Sequence, residues 1–522
     1  MQPEKPRVES SIDRVECKVQ RAFREALSWA ESSKKRSLWE FERGLWTLML
    51  ALGRALLELF LTRQVAHPRP VDYRHDGVAY RLVLKEPRTT QLGTRFGKVT
   101  FQRPVGRKVG SAKHAADLPI DRELGLCSGF SLGVVMAVTR LCAQMAFLHA
   151  RETFQETYEW MPSPRAVLRM VDGVGEQARP FLEQAPAPED DGEILAIQVD
   201  AGGAPMINAI EYSRRRRKRA QASLERRHRR RPSQRKGKPM STTSRHQRRE
   251  KRKAHPRKRK TKGKKSKNAK VAVVGVLYTL RQTPDGLEGP VNKRLYATFE
   301  SHEALFIWLR YEADKRGYGQ KYTLFLADGC QHIWRLQQRY FPEAEVCLDW
   351  FHVVEKLWTA GTCLHREGSS QLASWVAQQT KLLRRGRVSA VLDTIDQAQR
   401  AIPKTGPGNK GKRTRLLEIH RHLAKNKHRM RYHLLRNRDL DIGSGAVEGA
   451  VRNLVRLRLD GPGMRWGRER SEYVLHLRCI LLNGQWDEFA KYLATQGNVR
   501  LPAKPIPTRT HDAKRQDLPE AA

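Results

Sequence analysis

The sequence has few of the features that mark a secreted or zinc-binding protein. Its seven cysteines are scattered, and no two of them form a C-x-x-C pair. An odd, dispersed set of cysteines argues against a disulfide framework and against a zinc ribbon, and favours reduced thiols in a cytosol. We therefore expect no zinc motif in this chain.

Long apolar runs are also scarce, and no signal-peptide pattern opens the chain. The most apolar stretch, Leu45 to Leu61, is interrupted by Gly53, Arg54 and Glu58. A bilayer span needs about 20 predominantly apolar residues, so we expect a soluble protein without a membrane partner. A Walker A loop, a dinucleotide fingerprint, a G-x-S-x-G elbow and an H-E-x-x-H motif are all missing, which sets aside the enzyme classes that use them.

Acidic residues are few beside the basic ones. Lys and Arg number 99 against 55 Asp and Glu, a formal net charge of +44. Basic side chains displace condensed counterions from phosphates, so this balance predicts a nucleic-acid partner. Hydrophobic residues make up 39% of the chain, which allows packed cores. A length of 522 residues suggests about three or four domains.

The excess charge is concentrated in one tract, Arg214 to Lys270. This tract holds 29 basic residues and two acids, Glu225 and Glu250. A block of like charges repels itself and cannot bury a core, so we expect residues 214–270 to be a disordered insertion. Such a tract would hold the DNA or RNA backbone without reading its sequence.

Apolar patterns divide the N-terminal third into three regions. Residues 1–70 have a helical period, and residues 71–115 alternate in runs separated by Pro and Gly, which predicts a small β region. The helical period returns over 116–184, where a turn and a second helix from Arg165 suggest a DNA-binding helix-turn-helix; packed helices are the alternative. Residues 185–193, rich in Pro and acids, predict a linker.

The remaining chain predicts a multidomain α/β protein. In 192–355, apolar strands are predicted to end at two acids, and the order of three strands, a helix and a further strand is that of an RNase H-like core. Residues 356–441 predict helices alone. A Gly-rich turn and helices follow over 442–490, and 491–522 is predicted to be a flexible tail.

Three acids stand where a metal site could form. Asp200 and Asp328 end strands, and Glu448 lies in the first turn of a helix that Ser444 would cap. Carboxylates suit Mg²⁺, with Mn²⁺ as the alternative, and two such ions about 4 Å apart promote phosphoryl displacement. Any one of these acids could instead be a cap, a turn residue or a salt-bridge partner. Their shared placement favours the metal site for the set.

An Asp-x-x-His pair, Asp349 and His352, follows the second of these acids. The pair could support Asp328, orient a scissile phosphate, or form a hydrogen bond within itself. From composition alone the structural role is favoured, and we treat both residues as auxiliary to the acids.

Four arginines and a tryptophan are candidates for DNA binding. Arg452 and Arg456 follow the third acid along one helical face, where the alternative is an ion pair on a solvated helix. Arg465, Trp466 and Arg468 come after a tight turn, and Arg with Trp suits backbone contact and base stacking. For the tryptophan, the alternative is a buried indole.

Five segments carry a family resemblance: VDAGGAPM from Val199, LADGCQHIW from Leu326, CLDWFHVVEKLW from Cys347, NKHRMRYHLLRNRDLDIGSGAVEGAVRNLVRLRLDGPGMRW from Asn426, and LRCILLNGQWDEF from Leu477. They resemble the ISKra-type insertion-sequence transposases, bacterial members of the DDE superfamily with an RNase H-like core. The similarity runs from about residue 115 to about residue 490. The series IGSGAVEGA, GMRW and LNGQWDEF is its most specific part.

The resemblance implies a metal-dependent DNA transposase that cleaves element ends and joins them to target DNA. The family's three catalytic acids fall on Asp200, Asp328 and Glu448. A (Cys/Asp)-x-x-His feature of the related Mutator-like transposases falls on Asp349 and His352.

Further expectations follow from the resemblance. It implies an all-α insertion, here 356–441, recognition of terminal inverted repeats, and a homo-oligomer on double-stranded DNA. We expect a cytoplasmic, nucleoid-associated bacterial protein.

Two features depart from the family. Many relatives have a Cys-containing zinc motif after the N-terminal β region, and the first acid motif here reads Asp-Ala-Gly-Gly instead of Asp-Gly-Thr-Gly. Neither departure removes a metal ligand. Two alternatives use the same residues: a non-catalytic nucleic-acid-binding protein, and a structure-specific nuclease that cuts without joining.

Overall fold

The chain begins with two long helices that pack side by side, α1 (Pro6–Glu31) and α2 (Leu38–Ala66). This computed structural model describes residues 6–32, 35–110, 116–207, 209–229, 269–461, 464–495 and 499–503. Ser37 begins α2 through a capping box with Glu40. By length and composition, α2 could cross a membrane; its most apolar window has a mean hydropathy of 1.6 and is 17% buried.

A four-stranded antiparallel sheet follows, with strands β1 (Asp72–His75), β2 (Val78–Thr94), β3 (Gly97–Lys108) and β4 (Ala116–Asp117) in that order. Together with α2 and the short helix α3 (Pro119–Glu123) it encloses a small core of its own: Leu61, Leu92, Val99, Phe101 and Ile120. The helices predicted in 1–70 and the strands predicted in 71–115 are thus present.

The next helices are α3 (Pro119–Glu123), α4 (Leu132–Gln144), α5 (Phe147–Tyr158) and α6 (Pro164–Gln184). A turn joins α5 to α6, as predicted, and the DNA-reading role of the second helix stays a prediction. Buried residues occupy most of α6, because apolar side chains lie on more than one of its faces. Arg470, from the C-terminal region, pairs with the buried Asp172 of α6 at 2.8 Å, so the middle of α6 is packed inside the protein.

The main sheet has five strands: β5 (Ile194–Pro205), β6 (Ala269–Thr283), β7 (Gly286–Thr298), β8 (Tyr322–Ala327) and β9 (Glu345–Leu348). Their order is β7-β6-β5-β8-β9. Strands β5, β6 and β7 pair antiparallel to one another, and β8 and β9 lie parallel to β5. The protein is therefore mixed α/β, and the alternation of strands and helices predicted for 192–355 is observed.

Three helices accompany this sheet: α7 (Ala209–Arg229), α8 (His302–Lys315) and α9 (Gln331–Tyr340). Helix α7 covers the first part of the basic tract, so the prediction of disorder is wrong for residues 214–229. Its Arg, Lys, Ala, Gln and Leu residues have high helix propensity, and the described side chains of this helix are exposed. Residues 230–268 of the tract lie outside the described residues.

The segment after β9 contains five helices: α10 (Trp350–Gly361), α11 (Ser370–Arg384), α12 (Val388–Ala401), α13 (Asn409–Lys425) and α14 (Tyr432–Arg436). Lys427–Arg429 forms a 3-10 turn between the last two. The helical content predicted for 356–441 is correct. Its predicted start is late, because α10 already begins at Trp350, the residue after its N-cap Asp349.

The C-terminal region contains α15 (Gly445–Val451), a π-helical turn (Arg452–Arg456), α16 (Leu457–Leu459), α17 (Arg468–Leu482) and α18 (Trp486–Thr495). The prediction of a flexible tail from residue 491 is wrong for the described part. Helix α18 continues to Thr495, and Leu501 is buried against Gly173 of α6. Residues 504–522 lie outside the described part of the chain.

One apolar core joins these regions, from Cys127 to Leu501. The segments 116–184, 192–355, 356–441 and 442–490 therefore share a core and do not form separate globules. The predicted linker 185–193 is also fixed, because Asp191 binds Arg316 at 2.7 Å and accepts a hydrogen bond from Thr279 at 2.5 Å. These polar anchors were not visible from its Pro-rich composition.

Candidate active site

Strand pairing brings the first two acids together. β5 and β8 are parallel, and Val199 is the Cα partner of Ala327 in their register. Asp200 and Asp328 each follow one of these paired residues. Neighbouring strands lie about 5 Å apart, so the two aspartates lie side by side. The predicted strand end is correct for Asp328 but wrong for Asp200, because β5 remains paired with β6 as far as Pro205.

The third acid arrives on a helix that packs against β5. A Cβ atom on Gly202 would lie 2.9 Å from Val451 and 3.2 Å from Val455, so the helix touches the strand where a side chain is missing. Glu448 lies one turn before Val451, on the same side of the helix. The second glycine of the Asp-Ala-Gly-Gly motif, Gly203, has nothing within 4 Å of such a Cβ.

A buried hydrogen-bond chain fixes the start of this helix. Gln198, two residues before the first acid and 1% exposed, accepts a hydrogen bond from the Val447 N–H at 3.0 Å. Its amide donates to the hydroxyl of Tyr278 at 3.0 Å, and that hydroxyl donates to Asp441 at 3.2 Å. One strand therefore carries both an acid and the anchor that positions the next acid's helix.

Ser444 stands at the predicted N-cap position but does not act as the predicted cap. Its hydroxyl donates to Glu448 Oε1 at 3.2 Å and does not accept from a backbone N–H. Its own backbone N–H donates to Asp349 Oδ1 at 2.7 Å. Ser444 thus ties the exposed Glu448 to the Asp-x-x-His pair.

Asp349 is fully buried and forms hydrogen bonds with β8, with α10 and with the start of α15. Its Oδ2 accepts from the backbone and the ring Nδ1 of His352, at 2.9 and 2.6 Å, and its own N–H donates to the Ala327 carbonyl. Burial opposes ionisation of Asp349, but the hydrogen bonds from His352 and Ser444 outweigh it and hold its pKa below the usual value. The predicted hydrogen bond within the pair is confirmed.

His352 carries positive charge toward the acids. The hydrogen bond to Asp349 raises the pKa of His352 to about 9, against the opposing effect of burial. The charges of Asp328 and Asp200 raise this pKa further, which places the imidazole beside both aspartates. At neutral pH this ring is an imidazolium that donates from both nitrogens.

Asp200 is affected by its acidic neighbours. Burial raises the pKa of Asp200, and the charges of Asp328 and Glu448 raise it further. The Ala201 N–H and His352 act in the opposite direction without cancelling these effects. The charges of Asp328 and Glu448 therefore lie close enough to Asp200 to oppose its ionisation. We call Asp200, Asp328 and Glu448 the acid cluster.

The donor set is suited to a hard divalent cation. Carboxylates such as these, with Glu448 exposed and Asp200 close to the charges of the other two acids, are ligands that Mg²⁺ prefers. Within the described ranges, the three side chains whose ligand atoms all lie within 4.8 Å of one another are Asp349, His352 and Glu448, so of the three predicted metal ligands only Glu448 belongs to this group. Both oxygens of Asp349 are already hydrogen-bonded, so we assign it an orienting role and leave metal binding to the acid cluster.

Two of the predicted DNA-binding arginines lie just beyond the acid cluster. Arg452 and Arg456 begin and end the π-helical turn, and both are exposed. Short π-helical turns are frequent at functional sites. The structure contains no ion pair between Glu448 and Arg452 within the described residues, so the predicted alternative of a surface pair is not observed.

The other three candidates lie further away. The backbone of Trp466 pairs with the end of β5, where its N–H donates to the Pro205 carbonyl at 3.1 Å. This point is about 17 Å along the strand from Asp200. Arg465 and Arg468 are exposed there. The stacking role predicted for Trp466 is wrong: its indole is 6% exposed and donates to the Leu459 carbonyl.

The structure adds residues that the sequence did not single out. Gln198 had a signal, since it is a polar residue inside an apolar strand. His422 of α13 had none: its ring lies directly on Gly329, beside Asp328, and only the packing of α13 brings it there. Lys356 of α10 lies close to the same ring.

Comparison with known proteins gives no further guide. No protein-family model matches the chain, and no curated protein has a significant sequence match to it.

Proposed function

We propose that this protein is a DDE-type DNA transposase that catalyses metal-dependent cleavage and strand transfer at the ends of an insertion sequence. The observation that carries the proposal is the acid cluster. Strand pairing places Asp200 beside Asp328, the charges of Asp328 and Glu448 raise the pKa of Asp200, and the charges of both aspartates raise the pKa of the nearby His352. Carboxylates grouped in this way suit phosphoryl transfer with two metal ions.

The sheet also supports the proposal. Its order β7-β6-β5-β8-β9, with the first three strands antiparallel and the last two parallel, agrees with an RNase H-like core. The first acid lies on the central strand β5, the second follows its parallel neighbour β8, and the third lies on the helix packed against β5. A helical segment lies between the second and third acids, as in the resemblance.

In this mechanism Asp200, Asp328 and Glu448 would hold Mg²⁺, with Mn²⁺ as the alternative. Bound ions would supply Lewis-acid activation of the attacking oxygen and stabilise the leaving oxygen. Asp349 holds Nδ1 of His352, which fixes the ring and leaves Nε2 to donate to a phosphate oxygen. Arg452 and Arg456 would neutralise backbone phosphates beside the site.

The partners follow from this function. The protein would bind double-stranded DNA, both the terminal inverted repeats and the target, as a homo-oligomer in the bacterial cytoplasm. The net charge of +44 provides the long-range attraction to DNA.

Replacement of one acid tests the proposal. Asp200→Asn keeps the size of the side chain but removes a metal-binding charge, so we expect Mg²⁺-dependent nicking of a supercoiled plasmid with the element's ends to fall about 100-fold or more. DNA affinity should persist. The matched control is Asp285→Asn, the same change at an exposed acid in the β6–β7 turn. This control variant should cleave the plasmid at the normal rate.

The same assays separate the alternatives. Cleavage by Asp200→Asn at the normal rate would remove the metal site, and absence of nicking in the unchanged protein would favour a non-catalytic DNA-binding protein. Cleavage without joining of the freed 3′ ends to a target plasmid would indicate a structure-specific nuclease.

A further inference from the structure

The helical segment between the second and third acids carries a dense positive charge of its own. Residues 409–438, from α13 through α14, contain 11 Lys or Arg and a single acid, Glu418. The basic tract at 214–270 is separate in sequence and contributes nothing to this count. A second concentration of charge therefore lies within the folded part of the protein.

This charge reaches the acid cluster. The ring of His422 occupies the space beside Gly329 where any Cβ would lie, and Gly329 directly follows Asp328. Burial and the charge of Lys356 lower the pKa of His422 to about 4, while Asp328 acts in the opposite direction. Helix α13 thus meets α10 at the edge of the candidate active site.

From that point the two helices run beside each other. Helix α10 begins at Trp350 next to the acids, and α13 packs against it. At the far end of α10, Lys412 and Arg415 lie close enough to oppose the rise that burial causes in the pKa of Cys363. From His352 to its last residue, Gly361, the helix rises about 14 Å, a length that spans about four phosphates of one strand along a duplex.

The basic side chains along this junction are available to a ligand. Lys412 and Arg415 are exposed, and neither forms an ion pair with any residue that the structure describes. Of the other exposed bases in 409–438, Arg431 binds Glu345 at 2.7 Å. Positive charge that is exposed and unpaired attracts a polyanion and releases counterions when it binds one.

We propose that the junction of α10 and α13 binds the phosphate backbone of the DNA strand that leads into the acid cluster. We call this surface the insertion track and define it by Lys356, Lys412, Arg415 and His422. The proposal rests on the proposed function, because that function supplies the DNA. It assigns the helical segment a direct part in holding the substrate.

Paired substitutions in the full-length protein test the track. Lys412→Ala with Arg415→Ala removes two phosphate contacts, so the slope of log affinity against log salt concentration should become shallower by about 1.8 on duplex DNA. The charge-preserving pair, Lys412→Arg with Arg415→Lys, should keep the original slope. Removal of two exposed bases from α1, Arg21→Ala with Arg24→Ala, should also leave the slope unchanged.

The outcomes are distinct from those that test the proposed function. An unchanged slope in the alanine pair, while cleavage still requires Asp200, would overturn the insertion track alone. A shallower slope together with normal cleavage by Asp200→Asn would support the track as a DNA surface and reject the metal site. A larger slope change on RNA than on duplex DNA of equal length would overturn DNA as the ligand of the track.

Discussion

Asp191 and Arg316 form the ion pair that fixes the entry to the main sheet. The Arg316 side chain is fully buried and the Asp191 side chain is 10% exposed, with two hydrogen bonds of 2.9 and 2.7 Å between them. Burial opposes ionisation of Asp191, but Arg316 and Thr279 outweigh it and lower the pKa of Asp191 to about 2. This carboxylate therefore remains charged in the folded protein at any pH above about 3.

A stability measurement can test this pair. Asp191→Asn removes the counter-ion of the buried Arg316, which keeps only neutral acceptors such as the Asn292 carbonyl, so we expect the free energy of unfolding near pH 7 to fall by about 3–5 kcal/mol. Urea unfolding with circular dichroism measures this difference. Asp190→Asn is the control, since that acid is largely exposed.

The same pair predicts a pH dependence. The folded-state pKa of Asp191 lies below its ordinary value of 3.8, so its contribution is fully present above about pH 4 and is lost as the pH falls toward 2. The stability difference between the unchanged protein and Asp191→Asn should therefore shrink over that interval. A constant difference from pH 6 to pH 2.5 would contradict the role of the charge.

Single residues also show what the sequence can reveal about a site. The three acids were identified because local patterns placed each at the end of an apolar strand or the start of a helix, although β5 in fact continues past Asp200 to Pro205. Gln198 could have been identified as a polar residue in an apolar strand. His422 could not, because no local pattern states which residue of a distant helix will meet Gly329.

At the scale of elements, the contact of β5 with α15 and the following π-helical turn positions the third acid. Gly202 makes this contact possible, since Val451 and Val455 occupy the space where a side chain would lie. The strand and the helix can approach closely only when this residue has no Cβ.

Matched glycine substitutions test the contact. Gly202→Ala would press on Val451, so we expect the free energy of unfolding to fall by about 1–3 kcal/mol and the helix of Glu448 to shift away from β5. Gly203→Ala meets nothing within 4 Å and should change neither stability nor cleavage. Equal effects of the two substitutions would mean that the packing is not what holds the helix.

The positions of helices and strands were predicted better than the burial of their side chains. The helix at α6 was identified from its period, but the extent of its burial was not, because period does not tell whether another segment covers the remaining face. The same holds for Trp466, whose indole is enclosed and lies 4.7 Å from the Arg458 guanidinium. Burial depends on what other segments bring to a residue, and no local pattern encodes that.

At the scale of the whole molecule, the basic tract is inserted between two paired strands of the main sheet, β5 and β6. Pro205 at the end of β5 is the Cα partner of Ala269 at the start of β6, so the two ends of the insertion are adjacent. Antiparallel strands with adjacent ends can be joined by a short turn. The pairing of β5 with β6 therefore does not require the basic insertion between them.

Deletion of the insertion tests this separation. Replacement of residues 209–268 by a Gly-Asn-Gly turn removes 28 basic and three acidic residues and leaves +19 of the net charge of +44. We expect an unchanged thermal unfolding midpoint, weaker DNA binding and a shallower salt dependence, because many phosphate contacts are lost. An unchanged salt slope would mean that the tract binds something other than DNA.

The sequence by itself determined the order of helices and strands, the excess of positive charge and the three acids, because these depend on residue type and on spacings of two to four residues. Only the tertiary structure decided that α6 is buried, that Trp466 is enclosed, that Gln198 anchors the helix of Glu448, and that α13 places His422 beside Asp328. Those outcomes depend on contacts between segments up to hundreds of residues apart. Such contacts are selected by packing of the whole core, which no single stretch of sequence specifies.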